Sequence, residues 1–198
     1  MFDRANRSEA DRVLNGMTLG FVADPFMRWL YPEPSEYLSY FPRVVDLYAG
    51  RAFDHGSAYR NDGYTAAALW LPPDVHPDED ALAAYLEDTV SPDKHAALFA
   101  AIELMDRFHP AEPCWHLADI AIDPAHQGRG LGTALLTTCL DRCDDDGRPA
   151  YLESTNAANL SIYRRFGFEQ IGLIETDQSP PLFPMLRRTV KAATSSRD

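Results

Sequence analysis

A chain of 198 residues is the size of one domain, on a general scale of roughly 100 to 200 residues each. Its 45% hydrophobic and 24% charged residues exclude a disordered or fibrous protein. Eighteen Lys and Arg against 30 Asp and Glu leave a formal charge of −12, a field that opposes nucleic acid and anionic membrane and favours a cationic small molecule or partner.

The first twenty residues carry Asp3, Arg4, Arg7, Glu9, Asp11 and Arg12 with no apolar stretch, so no secretory leader is expected. Around Pro25, Pro32, Pro34 and Pro42 the pattern predicts short helices, one over residues 25–30 capped by Asp24 and one from about 42 to 53. Residues 57–60 and 64–71 flank Asn61-Asp62-Gly63 and read as strand, turn, strand, closed by Pro72-Pro73. The run Ala66 to Leu71 is the longest apolar one and is far short of the roughly 20 residues that span a bilayer; a cytoplasmic protein is expected. Pro77 and the acidic Asp78, Glu79 and Asp80 open a helix with Leu82, Tyr85, Leu86 and Val90 on one face. Ser91-Pro92-Asp93 starts another, stopped by Pro110, and the two together read as a lid or flank.

The second half is more regular. Strands are predicted over 115–122, 150–153, 168–173 and 182–187, and helices over 130–143 and 157–165. This alternation points to an α/β sandwich within a single domain, 1–190, followed by a frayed polar tail, 191–198. Cys114, Cys139 and Cys143 form no CxxC pair and read as reduced thiols packed in the core, with no metal expected.

The strongest local signal is His126-Gln127-Gly128-Arg129-Gly130-Leu131-Gly132-Thr133, between a strand and a helix. Its glycines free the chain where backbone N–H groups lack helical partners and meet the positive end of the helix dipole, which makes an anion site. Arg129 adds a charge for a phosphate. The spacing fits neither a nucleotide P-loop, which needs Lys-Ser/Thr after the last glycine, nor the G-x-G-x-x-G of a dinucleotide fold. A tight turn serving only strand–helix packing is the bland alternative.

Gln127-Gly128-Arg129-Gly130-Leu131-Gly132 resembles the coenzyme A loop, Q/R-x-x-G-x-G/A, of the GNAT N-acetyltransferases, and Tyr163-Arg164-Arg165-Phe166-Gly167-Phe168 resembles their Y-x-x-x-G-F signature. Within that superfamily, residues 149–154, 159–163 and 180–182 look like the puromycin N-acetyltransferase branch. The resemblance implies a mixed, largely antiparallel central sheet with helices on both faces and a splayed strand pair at the acyl-CoA site. It implies that Gln127 to Thr133 hold a pyrophosphate, that Ile120, Ala121 and Ile122 run beside the pantetheine arm, and that a backbone N–H near Ile122 stabilises the oxyanion. The resemblance also implies that Asn156 and Asn159 lie against the cofactor, although Asn156 is equally a helix cap. By the same resemblance Tyr163, otherwise a core tyrosine, is expected near the sulfur as proton donor.

An amine must lose its proton before it attacks. Glu153 is the first candidate to accept it, with His116 and Asp119 second; plain strand alternation puts those two on opposite faces, so at most one faces the substrate. The expectation is an acyl-CoA-dependent N-acyltransferase moving acetyl from acetyl-CoA to a primary amine of a small molecule, without metal or nucleic acid, as monomer or homodimer. The alternatives are acetylation of a protein N-terminus or lysine, and a non-catalytic acyl-CoA sensor.

Overall fold

The computed structural model describes residues 1–189, so the expected tail at 191–198 lies outside the described residues. Strand β1 (Phe2–Ala5) leads through a capped turn into helix α1 (Ala10–Gly20), followed by α2 (Pro25–Leu30), α3 (Pro34–Ala49) and the short α4 (Arg51–Asp54). Strands β2 (Ala58–Asn61) and β3 (Ala66–Leu71), helices α5 (Glu79–Thr89) and α6 (His95–Phe108), and strand β4 (Trp115–Ile122) come next. The described residues close with α7 (Leu131–Asp145), β5 (Ala150–Ser154), α8 (Leu160–Arg165), β6 (Glu169–Gln170) and β7 (Phe183–Arg187). The strands form one sheet in the order β1-β2-β3-β4-β5-β7-β6, antiparallel throughout except for β4 against β5. This mixed α/β sheet is the fold that the sequence signatures imply.

Two cores sandwich the sheet. Every residue of β3 is buried, which is why its sequence shows no alternation. Ala67 and Leu69 pack with Val13, Met17, Phe41 and Val45 on one face, while Ala68 and Trp70 pack with Leu135, Leu136 and Leu140 on the other. Each such Leu, Val or Phe contributes at most about 1.5–3 kcal/mol by leaving water. Helix α1 can lie directly on β4 because Gly20 has no side chain; a Cβ there would stand 2.5 Å from the Ala121 Cβ.

Several expectations need correction. Strand β1 and helix α1 are absent from the sequence reading. The helix expected to begin at Pro42 begins at Pro34, and Pro42 lies inside it. The carbonyl four residues back that Pro42 cannot bond belongs to Leu38, an exposed residue open to water. Strand β3 starts two residues late, because Tyr64 takes a left-handed φ of 56° and the Asn61 side chain accepts from the N–H groups of Thr65 and Ala66. The strand expected over 168–173 is reduced to two residues; Ile174 instead bridges to Leu182.

The consequential correction is in β4. Leu69 pairs with Asp119 but Trp70 pairs with Leu117, so Ala118 is the extra residue of a β-bulge. The bulge resets the alternation, and His116 and Asp119 lie on the same face, toward α3, not on opposite faces. Strand β4 then leaves β5: their parallel pairing covers only Trp115–Ala150 and His116–Tyr151. Beyond it, the edge of β4 that faces β5 has no strand partner among the described residues, and a gap opens.

Candidate active site

The gap between β4 and β5 holds an open cleft of about 650 Å³. Asp123 caps the turn after β4, its Oδ1 accepting from the Ala125 N–H at 2.8 Å, and Gln127 Nε2 donates to the Ile122 carbonyl at 3.1 Å. Gly128 and Gly130 then adopt φ of 73° and 79°, values that a side chain would strain, and deliver the chain into α7. The first N–H groups of α7 have no intrahelical acceptor and line the cleft through Gly130, Leu131, Gly132 and Thr133.

Ile120, Ala121, Ile122, Gln127, Gly128, Asn156, Asn159 and Tyr163 line the same cleft. Arg129 does not: its guanidinium turns back to donate to the Ala125 carbonyl at 3.1 Å. His126 and Arg165 line the cleft instead; both stand within the two sequence motifs, but neither was given a role there. Asn156 Oδ1 accepts from the Ala158 N–H at 3.0 Å, so its capping role is real and half of its side chain is committed to it.

A second, largely apolar cavity of about 130 Å³ adjoins the cleft, walled in part by residues from α2, α3, α5 and α6. Phe21, Ile120, Asn159 and Tyr163 line both spaces and mark where they meet. Tyr163 is buried, with its ring edge-on to Phe168 at 6.1 Å. Burial, with the nearby Asp24 and Asp119, raises its pKa well above that of a free phenol, so it holds its proton at neutral pH. Asp119 is 6% exposed, and its Oδ2 has no hydrogen-bond partner among the described residues. Burial and the charge of Asp24 push this carboxyl well above the ordinary range. Asp24 itself caps α2 through the N–H groups of Phe26 and Met27 and bonds Thr155 across the gap, tying the helical cap to the end of β5. Burial raises its pKa despite those bonds.

Glu153 faces another set of groups. Its Oε2 lies 3.0 Å from His116 Nε2, with both side chains under 10% exposed. The Tyr48 hydroxyl stands 3.5 Å from the same nitrogen, and the His109 ring packs 5.5 Å from His116. Burial, then the His116 neighbour, lowers the His109 pKa, and burial holds the Tyr48 hydroxyl protonated. Glu153 lines both the apolar cavity and a third space, of about 350 Å³, into which His76, His109 and His116 open. Tyr48 and His109 were missed in the sequence, where nothing in their neighbourhood marks them. Cys139 and Cys143 pack in the core under α7, and Cys114 is buried separately. No cluster of three or more metal-ligating side chains occurs among the described residues. No described helix is long and apolar enough to cross a membrane.

The geometry can be set beside known proteins. Residues 44–168 match the model of the acetyltransferase (GNAT) family. The N-alpha-acetyltransferase RimI of Mycobacterium tuberculosis is 33% identical over 129 residues, which cover 60% of this chain and 79% of RimI. A mycothiol acetyltransferase of Mycolicibacterium gilvum is 42% identical over 66 residues, 29% of this chain but only 21% of that protein. The chain likewise spans only 31% of an uncharacterized N-acetyltransferase of Schizosaccharomyces pombe. Among solved structures, a Corynebacterium glutamicum protein described as a histone acetyltransferase HPA2 and related acetyltransferase superposes with a TM-score of 0.67 at 22% identity, covering 98% of both chains. A polyamine N-acetyltransferase of Drosophila melanogaster gives 0.66 at 17% identity over 95% of this chain and 99% of its own. Those two likenesses concern the fold, while the family model and RimI reach the sequence itself: the chain belongs to the acetyltransferase (GNAT) family.

Proposed function

We propose that the protein transfers an acetyl group from acetyl-CoA to the primary amine of a small molecule by direct attack within a ternary complex. The observation that carries this reading is the junction at Tyr163, where a cleft under unpaired backbone N–H groups meets a largely apolar cavity. The cleft suits a long anionic donor: the N-terminus of α7 takes the pyrophosphate, and the unpartnered edge of β4 runs beside the pantetheine. The features resembling the puromycin N-acetyltransferase branch, at 149–154, 159–163 and 180–182, also favour a small acceptor.

In this reading the ammonium of the acceptor gives its proton to Glu153, which His116 holds in place, directly or through water. The amine nitrogen bonds to the thioester carbon, and a β4 backbone N–H near Ile122 stabilises the oxyanion. As the tetrahedral species collapses the C–S bond breaks, Tyr163 donates its proton to the leaving thiolate, and the second proton lost by the amide nitrogen passes through water to restore the phenol. A phenol with a raised pKa is a weak acid for a thiolate of ordinary pKa near 8.5, so its contribution falls at or below the low end of the usual hundred- to ten-thousandfold range. Asn156 and Asn159 supply amide contacts to the donor, and Arg129 supplies a screened charge at the cleft mouth.

The test is coenzyme A release with a panel of primary amines, alongside Tyr163→Phe. Amine-dependent turnover that falls about 10- to 100-fold in Tyr163→Phe, with acetyl-CoA affinity retained, supports the reading. Acetyl-CoA binding without turnover on any amine reduces the protein to an acyl-CoA sensor. A second reading, acetylation of a peptide N-terminus, is favoured by the likeness to RimI. A short peptide with a free N-terminus belongs in the panel, and its preference over every small amine would replace the first reading with the second.

A further inference from the structure

The apolar cavity carries information about the acceptor that the family does not. Its walls come from hydrocarbon and aromatic side chains such as Phe26, Leu30, Phe41, Val44, Leu86 and Leu98, and no lysine, arginine or histidine among the described residues reaches it. Two carboxyls do, Asp119 and Glu153. Glu153 is already engaged by His116 at 3.0 Å. Asp119, on the far side of the bulge at Ala118, has an Oδ2 with no partner among the described residues and only 6% of the residue exposed. A buried carboxyl oxygen without a hydrogen bond is costly, and such groups in native structures call for an explanation.

The volume favours a small apolar body. At about 130 Å³ the cavity is close to the roughly 150 Å³ engineered apolar cavity that admits benzene. We propose that the acceptor is a monoamine with an apolar body of about the size of a phenyl ring or a branched chain of five or six carbons, seated in this cavity with its amine head on Asp119. This deepens the small-molecule reading above and rests on it. A diamine or polyamine is disfavoured by the same walls: with Asp119 and Glu153 both engaged by the reacting nitrogen, its second cation would meet no further carboxyl lining the cavity, a burial that is strongly unfavourable. A free amino acid is disfavoured as well, since its carboxylate would be brought into the cavity beside Asp119.

The test compares 2-phenylethylamine and 3-methylbutylamine with agmatine, spermidine and ethylamine, at saturating acetyl-CoA, by thiol release. The expected result is a kcat/KM for the two apolar amines at least about 100-fold above agmatine and spermidine. The docking ammonium displaces the proton that Asp119 holds in the free protein, so the contact is an ion pair only in the complex; Asp119→Asn removes it and should raise KM for 2-phenylethylamine about 10- to 100-fold, the range for losing one charge-assisted contact, with a smaller change in kcat. Val44→Phe, which fills the cavity, should lower kcat/KM for 2-phenylethylamine more than for ethylamine; acetyl-CoA binding by both variants confirms that they fold. Agmatine or spermidine turned over as well as 2-phenylethylamine, or a KM unmoved by Asp119→Asn, overturns the inference and leaves small-amine acetylation standing. Turnover of no small amine removes the reading beneath it, and the inference falls with it.

Discussion

Replacing Asp119 by asparagine should make the protein more stable at neutral pH, and the gain should grow with pH. Asp119 titrates well above its unfolded value near 3.9, because it is buried and near Asp24. Below about pH 4 folded and unfolded chains both hold its proton. Above that, the unfolded chain releases the proton while the folded chain keeps it, so stability falls as pH rises until the pH passes the folded pKa. One proton corresponds to about 1.4 kcal/mol per pH unit at most. At about 2.1 cal/mol/K of unfolding entropy per residue, that is roughly 3 °C in Tm per unit for a chain of this length. The amide that replaces the carboxyl has no such proton. Asp24, which lines the adjoining cleft, and Tyr48, Glu153 and Tyr163, which face the cavity, remain in both proteins, so the difference between the two stability curves isolates Asp119 to first order. Urea denaturation at pH 4, 5, 6 and 7 measures that difference. Parallel curves across this range would mean that the carboxyl titrates alike in the folded and unfolded chains, and the argument from a desolvated Asp119 would fail.

Other perturbations probe the scaffold around the site. Gly20→Ala should cost about 1–3 kcal/mol and weaken acetyl-CoA binding, since the new Cβ meets Ala121 at 2.5 Å where both residues line the cleft; unchanged binding in a calorimetric titration would contradict this. Gly130→Val forces a β-branched residue to a φ of 79° and should weaken acetyl-CoA binding without removing a single side-chain contact, checked by the same titration. Arg187→Leu removes the paired bonds to Asp144 at 2.6 and 2.7 Å and the bond to the Phe166 carbonyl, which join β7 to α7 and to the end of α8. Because Asp144 is 39% exposed, about 1–2 kcal/mol is expected rather than the value of a fully buried pair, read as a Tm lowered by a few degrees. The native thiols should be nearly inert to a thiol-reactive dye at pH 7.5 and should all react in denaturant. Burial pushes Cys114 and Cys143 up to about 12 and Cys139 further, so almost no thiolate exists in the fold.

The second half of the chain was legible because its signals are local. The glycines at 128, 130 and 132 and the Tyr163 to Phe168 stretch mark helix ends by backbone freedom and periodicity, and strand β4 was read with its observed bounds. The first third was harder, since its helices carry aromatic residues on broad faces and Pro42 sits mid-helix against the usual rule. Helix α1 buries Val13, Leu14 and Met17 among frequent charges, and its register on β4 depends on Gly20, whose meaning arises only from the strand beneath it. The site divides in the same way. The loop residues that line the cleft were all legible except for the direction of the Arg129 side chain, which is decided by a local carbonyl. The pairing of Glu153 with His116 and the clamp from Asp24 to Thr155 join residues far apart in sequence, and no spacing rule reaches them.

The bulge at Ala118 gives β4 one residue more than β3 opposite it, so two consecutive residues, Ala118 and Asp119, stand on the α3 side. Deleting Ala118 would remove only the surplus: Trp115, Leu117, Ile120 and Ile122 would keep the core under α7, and His116, Asp119 and Ala121 the face under α3, now in strict alternation. Forcing all eight residues into a regular ladder would instead turn either Asp119 under α7 or His116 away from Glu153. The shared face of His116 and Asp119 therefore survives the loss of Ala118, and what the extra residue supplies is a local bend and twist where β4 parts from β5.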